Sequence, residues 1–317
     1  MNSLASPSKP RVVRNGNFLS YLPKAWPRIL AATLVSVATT AAHLRYRIDV
    51  PSVGPIPYTT LGVAISIFLG FRNNTSYTRF WEARTLWGSH INSSRSFARQ
   101  VMTLVVSDQP NLRPFQEDVI MATIAYAHAF KNHLQDDPPL DGIEKLMLPA
   151  EIAWLRTQKN IPVGILHIIG RRLATARAEG WITPGATMVL EGTLSDMTNV
   201  QGGCERIKNT QVPETYGILS RIIVTLFCII LPFGLLDTAG WLSPFVVFLV
   251  AYAFNSLDAL GDEVSQPFGH DPHDLPLEDY SETIETNLRQ ILSEESLPSL
   301  DAGAERPPVV GERSWYD

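Results

Sequence analysis

Marking the charged positions leaves four long uncharged stretches, in two pairs on either side of a mixed middle. About 16 residues separate Arg28 from Arg45, about 24 Å of helix, which reaches across a bilayer core only if the flanking arginines snorkel. About 22 separate Asp49 from Arg72, and Pro51, Pro55 and Pro57 predict that the helix itself starts near Tyr58. The second pair measures about 15 residues, Arg221 to Asp237, and about 20, Asp237 to Asp258. Thr33, Ser36, Thr39, Thr40, Thr59, Thr60 and Ser66 dilute the early stretches. They are either buried helices of a soluble protein or membrane helices packed inside an oligomer. Lysine and arginine before the first stretch and after the second contrast with the uncharged turn from Thr238 to Gly240, which places both termini and the middle in the cytoplasm.

The middle, about Arg84 to Gln211, has the pattern of water-exposed helices. Val119, Ile120, Ile124, Ala127, Phe130 and Leu134 recur at helical spacing between Pro114 and Leu134, opposite Glu117, Asp118 and Lys131. "DDPPLDG" from Asp136 stops that helix. A second runs from Val163 to about Ala178 with Gly180 as its terminator, and a third starts on Thr183-Pro184 and is expected to end near Gly202 and Gly203. No strand pattern emerges, so the fold class is all-α. After Leu288 the chain turns Ser, Glu and Pro rich, either a disordered tail or a strap over other surfaces.

Composition adds that 45% hydrophobic and 18% charged residues suit a protein partly in membrane and partly in water. A net charge of −5 excludes a broad basic surface for nucleic acid. Cys204 and Cys228 are too few for a disulfide framework or a thiolate metal site and are expected to be small buried residues. The basic start of the chain precedes an apolar run that lies too far from Met1 for a signal peptide, so it is taken as an anchor that stays.

Val63, Ile67 and Phe71 form one vertical stripe on the second apolar helix. Helix packing would explain it; so would apolar rings around a symmetric pore that controls ions by dewetting. Beyond Phe71, Arg72, Asn73, Asn74, Thr75, Ser76 and Thr78 are too polar for a lipid-facing surface, which favours a pore opening into a vestibule.

"LGFRNNTSYTRFWEARTLWG", with "GCERI" at Gly203 to Ile207, "PFG" at Pro267 to Gly269 and "DLPL" at Asp274 to Leu277, resembles the bestrophin family of ion channels, particularly its bacterial members, over about 25 to 290. The resemblance implies a homopentamer with four membrane helices per subunit, a large cytoplasmic helical region and one ion path on the fivefold axis. Its partners would be the lipid bilayer, further copies of the chain and small inorganic ions, and its place the bacterial inner membrane. The neck positions that match are Val63, Ile67 and Phe71, and a lower cytoplasmic constriction matches Met188, with Val189 or Leu190 as alternatives. Ile67 is aliphatic where animal bestrophins carry an aromatic, whose positive edge favours anions, so the resemblance to bacterial members implies sodium and the wider family chloride. The resulting division is 1–24 cytoplasmic, 25–83 first membrane helix pair, 84–211 cytoplasmic helices, 212–260 second membrane pair and 261–317 cytoplasmic segment and tail.

"GHDPHDLPLED" gathers His270, Asp271, His273, Asp274, Glu278 and Asp279, residue types suited to zinc or calcium. Pro272 and Pro276 break any helical ligand array, and the acidic run that binds calcium in animal bestrophins is interrupted here. Asp271 and Asp274 remain the candidate ligands, and no cofactor is required. Arg79, Glu82, Arg84, Glu205 and Arg206 are expected to pair where the helix leaves the membrane, and Asp258, Asp262 and Glu263 either pair with those arginines or form an acidic ring. A membrane-bound metal-dependent enzyme or binding protein using the 270–274 cluster is the contrasting reading, but no nucleophile with a base, and no spaced metal set on rigid elements, is present to carry it.

Overall fold

The computed structural model describes residues 22–49, 54–210 and 214–293. The described residues form nine α-helices and no strand: α1 Leu22–Leu44, α2 Ile56–Leu104, α3 Leu112–Gln135, α4 Pro149–Leu155, α5 Ile161–Ala178, α6 Pro184–Asn209, α7 Glu214–Ala239, α8 Ser243–Val264 and α9 Leu277–Ser293. The expectations for the chain before Leu22 and for the boundary at Gln211 lie outside the described residues; of the tail expected after Leu288, residues 289–293 belong instead to α9 and the remainder lies outside the described residues.

Local chemistry explains most of the boundaries. Proline in the first turn opens α2, where a missing N–H is not needed. Asp136 ends α3 in the left-handed region at φ 57°, and Asn132 Nδ2 ties the following loop by donating to the Pro138 and Asp141 carbonyls. Thr183 caps α6 by accepting from the Ala186 N–H at 3.2 Å, as the sequence predicts. α6 does not stop at Gly202 and Gly203 but continues to Asn209. Gly203 is a packing residue: a Cβ there would lie 2.9 Å from Leu86 of α2. Glycine here lets Leu86 of α2 pack closely against α6, and it does not end the helix.

Two cores share α2. The first lies among α1, the start of α2, α7 and α8, around Ile29, Ile65, Leu69, Val224, Phe227 and Val247. Here α7 and α8 form an antiparallel hairpin through a short 3-10 turn, Gly240–Leu242. Thr215–Val264, which covers this hairpin, is the one helical stretch among the described residues long and apolar enough to cross a membrane, with mean hydropathy 2.3. The second core is larger and fills the space between the rest of α2 and α3, α5, α6 and α9. Its centre is a column of nearly parallel rings, Trp87, Phe130 and Tyr126, with centroids 5.2 and 5.9 Å apart. Cys204 belongs to this core and Cys228 to the first, and both are buried free thiols, as expected. The divisions drawn at residues 83 and 260 fall inside α2 and α8, which run on unbroken.

Candidate ion pathway

The 49 residues of α2 make a rod about 74 Å long. Its buried positions, Ile65, Leu69, Ser76, Ala83, Trp87, His90, Ser94, Phe97 and Val101, keep to one side from end to end. The opposite side stays uncovered throughout. Val63, Ile67 and Phe71 are 60%, 55% and 73% exposed, so the stripe does not pack inside the chain. On the same side follow Asn74, Thr78, Trp81, Thr85, Ser89 and Asn92, all exposed. The change from apolar to polar side chains along one uncovered face occurs at Arg72.

Arg72 is the knot that fixes this level. Its Nη1 lies 2.6 Å from Asp258 Oδ1, and its Nη2 reaches Asp262. Ser220 donates to the same Asp258 oxygen at 2.6 Å, while Arg28 sits 3.4 Å from the other and Arg221 3.9 Å from Asp262. α1, α2, α7 and α8 therefore converge on a fully buried carboxylate, neutralised by two guanidiniums and a hydroxyl. Asp258 and Asp262 take Arg72, not the arginines further along α2. Of those, Arg79 donates to the carbonyls of Ile207 (2.7 Å) and Thr210, and Arg84 lies over the Tyr280 ring at 5.0 Å. Glu82 does pair with Arg206, at 2.5 Å, whereas Glu205 accepts from Gln201 and Asn160 and faces His133.

α6 runs antiparallel to this lower half of α2, with Thr193 donating to Gln100 and Arg206 meeting Glu82. Met188 is 78% exposed near the start of α6, Val189 is less so, and Leu190 is buried in the lower core. Met188 thus stands at the level of the C-terminal end of α2, some 50 Å along the helix from Phe71. Gly192, Ser195 and Asn199 continue its uncovered face.

The 270–274 segment is a folded turn. The Asp271 N–H donates to Asp274 Oδ2 at 2.8 Å and the Asp274 N–H returns to the Asp271 carbonyl at 3.0 Å. Gly269 leaves room for the turn, since a Cβ there would crowd the Asp274 carboxylate. Burial, against the Asp271 hydrogen bond, raises the Asp274 carboxyl above its ordinary value. His270 faces Asp137 at 3.2 Å and His273 faces Glu263 at 3.7 Å, so the two histidines point to separate carboxylates. Among the described residues no group of three or more His, Cys, Asp or Glu is placed to hold a metal ion.

The sequence reading missed α9 and its docking. His128 of α3 meets Glu285 at 2.7 Å and Lys131 pairs with Glu278, both across more than a hundred residues. The signal was present in Ile284 and Leu288, buried four residues apart beyond the prolines.

A family model for bacterial and fungal bestrophins matches residues 8–290. The chain is 36% identical over 280 residues to the voltage-dependent anion channel-forming protein YneE of Salmonella typhi, covering 88% of this chain and 90% of that protein. It is 32% identical over 280 residues to the voltage-dependent anion channel-forming protein RSc3414 of Ralstonia nicotianae, with the same coverage. Among solved structures, a mutant of a bacterial bestrophin homologue from Klebsiella pneumoniae superposes with a TM-score of 0.79 at 30% identity, covering 86% of this chain and 100% of that one. A 49-residue helix with one face uncovered from end to end has its place in such a protein, and the chain belongs to the bestrophin family, as a membrane protein and an ion channel, not an enzyme.

Proposed function

We propose that the chain is one subunit of a homopentameric channel in the bacterial inner membrane and that its single central pore conducts anions. α1, the beginning of α2, α7 and α8 cross the bilayer, with the Arg72–Asp258 level at the cytoplasmic boundary and both termini in the cytoplasm. Val63, Ile67 and Phe71 form the neck, and Met188 forms the lower constriction. The observation that carries this reading is the uncovered face of α2, apolar over two turns and polar after Phe71. Five such faces around an axis make a dry neck above a wet vestibule.

The preference for anions departs from the sodium expected from Ile67. The relatives' names speak of anion channels, and beyond Phe71 the exposed charges of α2 are Arg84, Arg95 and Arg99, while its one acid, Glu82, is paired with Arg206 and Arg72 is neutralised by Asp258 and Asp262. A positive vestibule wall concentrates anions at the pore mouth. We do not propose calcium as the trigger: one Asp274 oxygen accepts the Asp271 N–H, and no group of three or more ligand side chains is gathered among the described residues. The test is planar-bilayer recording of purified protein under asymmetric NaCl, with calcium titrated on the vestibule side. Reversal at the chloride equilibrium potential and a current indifferent to calcium are expected. Reversal at the sodium potential would restore the cation reading, and steep calcium activation would return Asp271 and Asp274 to the metal site.

A further inference from the structure

α4 and α5 enclose a cleft of about 390 Å³ that the ion pathway does not use, lined by Glu151, Trp154, His167, Arg171, Arg172 and Thr175. Trp154 forms a shelf. It lies against α5 at Gly164, where a Cβ would stand 3.4 Å from its Cζ3, and it leaves 40% of its surface exposed beside the His167 ring, 6.0 Å away. The only acid in the cleft is already spent: Arg172 Nη2 is 2.8 Å from both oxygens of Glu151, and its Nη1 donates to the Asp118 carbonyl at 2.5 Å. His167, Arg171 and Thr175 follow at i, i+4 and i+8 on one face of α5. Arg171 is exposed, and its guanidinium has no ion pair or hydrogen bond among the described residues. It stands seven residues beyond Gly164, about 10 Å along the helix from the shelf.

A half-exposed indole at one end and an uncompensated guanidinium at the other, over a neutralised floor, define the complement of a ligand. We propose that this cleft binds a small anion whose charged group is joined to a flat aromatic ring by a short linker. The ring lies on Trp154, and the phosphate or carboxylate meets the Arg171 guanidinium; the Thr175 hydroxyl already donates to the Arg171 carbonyl at 3.1 Å and offers the anion no proton. Two sources share this chemistry, nucleoside monophosphates and aryl-alkanoates; Arg171 stands four residues beyond His167 and seven beyond Gly164, about 6 and 10 Å along the helix, a separation that favours an anion set off from the ring by a linker.

The test is calorimetric titration of the detergent-purified full chain with AMP, indole-3-propionate, benzoate and inorganic phosphate. Saturable binding of AMP or of indole-3-propionate, at least about tenfold tighter than benzoate or phosphate, is expected. Whichever of the two binds names the source. Arg171→Ala and Trp154→Ala should each weaken that binding about tenfold or more, with Arg171→Lys intermediate because an ammonium lacks the planar fork. Arg171 is exposed, so its replacement leaves folding intact, checked by an unchanged melting temperature. Binding unaltered in Arg171→Ala, phosphate binding as tightly as AMP, or no binding of either aromatic anion would overturn the proposal.

Discussion

At the scale of single residues, Ile67 and Asp258 do opposite things with burial. Ile67 is large, apolar and 55% exposed in the subunit, an arrangement that wastes hydrophobic surface unless it works in the uncovered state. In the proposed neck it sits between Val63 and Phe71 and resists wetting, so Ile67→Ala should raise open probability in single-channel records, and unchanged gating would displace the ring. Asp258 is a charge with no exposure, held by Arg72, Arg28 and Ser220. Asp258→Asn leaves two guanidiniums facing a neutral amide in the same space. Removing one partner of a buried pair costs about 3–5 kcal/mol, so the variant should lose most of its thermal margin in detergent. A melting temperature within a degree or two of the parent would show that Asp262 alone holds Arg72.

Helices carry the next level of the argument, and two adjacent glycines separate it well. Gly202 faces open space on α6, whereas Gly203 is pressed against Leu86 of α2. Gly202→Ala should therefore stabilise by about 0.5–1 kcal/mol through helix propensity, while Gly203→Val should cost about 1–3 kcal/mol by wedging α2 and α6 apart. Thermal melts of the two variants side by side check the contrast, and equal shifts would sink it. The same pair explains what the sequence could and could not yield. A glycine's role in packing is invisible without its neighbour, so α6 reads as ending where it continues. α2, α3 and α5 were legible because their apolar periodicity is long and their ends carry proline, glycine or a left-handed Asp136. The stripe at Val63, Ile67 and Phe71 was legible for the same reason, although spacing alone left both packing and pore open, and its exposure excludes only packing within the chain. The ion pairs were not legible in detail: Arg72 and Asp258 are 186 residues apart, and charge alone does not choose between Arg72, Arg79 and Arg84. The cleft at Arg171 escaped for a similar reason, since α4 is only seven residues long and gives no periodic signal.

The molecule as a whole is two bodies on one rod, and their chemistry predicts different responses to acid. The lower body buries His90 completely, edge-on to Trp87, Tyr126 and Phe130, with no hydrogen-bond partner for either ring nitrogen among the described residues. Burial pushes its pKa down to about 3, so between its ordinary value near 6.5 and that point the unfolded chain takes up a proton that the folded chain refuses. Stability is thus complete above the ordinary value and declines as pH falls, by at most about 1.4 kcal/mol for each unit through that window. Glu285 adds to the loss at lower pH. Burial would raise it, but hydrogen bonds from Arg289 and His128 outweigh burial and hold it below the usual carboxylate range, so its contribution disappears as pH falls through that lowered value and α9 is released. Among the described residues, the four-helix body around Ile29, Ile65 and Phe227 has no fully buried histidine, its His43 being half-exposed. Hydrogen exchange between pH 7 and pH 4 should accordingly show α3, α9 and the lower half of α2 losing protection while α7 and α8 keep theirs. His90→Leu, close in volume and with no nitrogen to leave unpaired, should flatten the slope in the upper part of that range. An unchanged slope in that variant would mean that the acid response belongs to the carboxylate pairs around α9 and not to the histidine at the centre of the core.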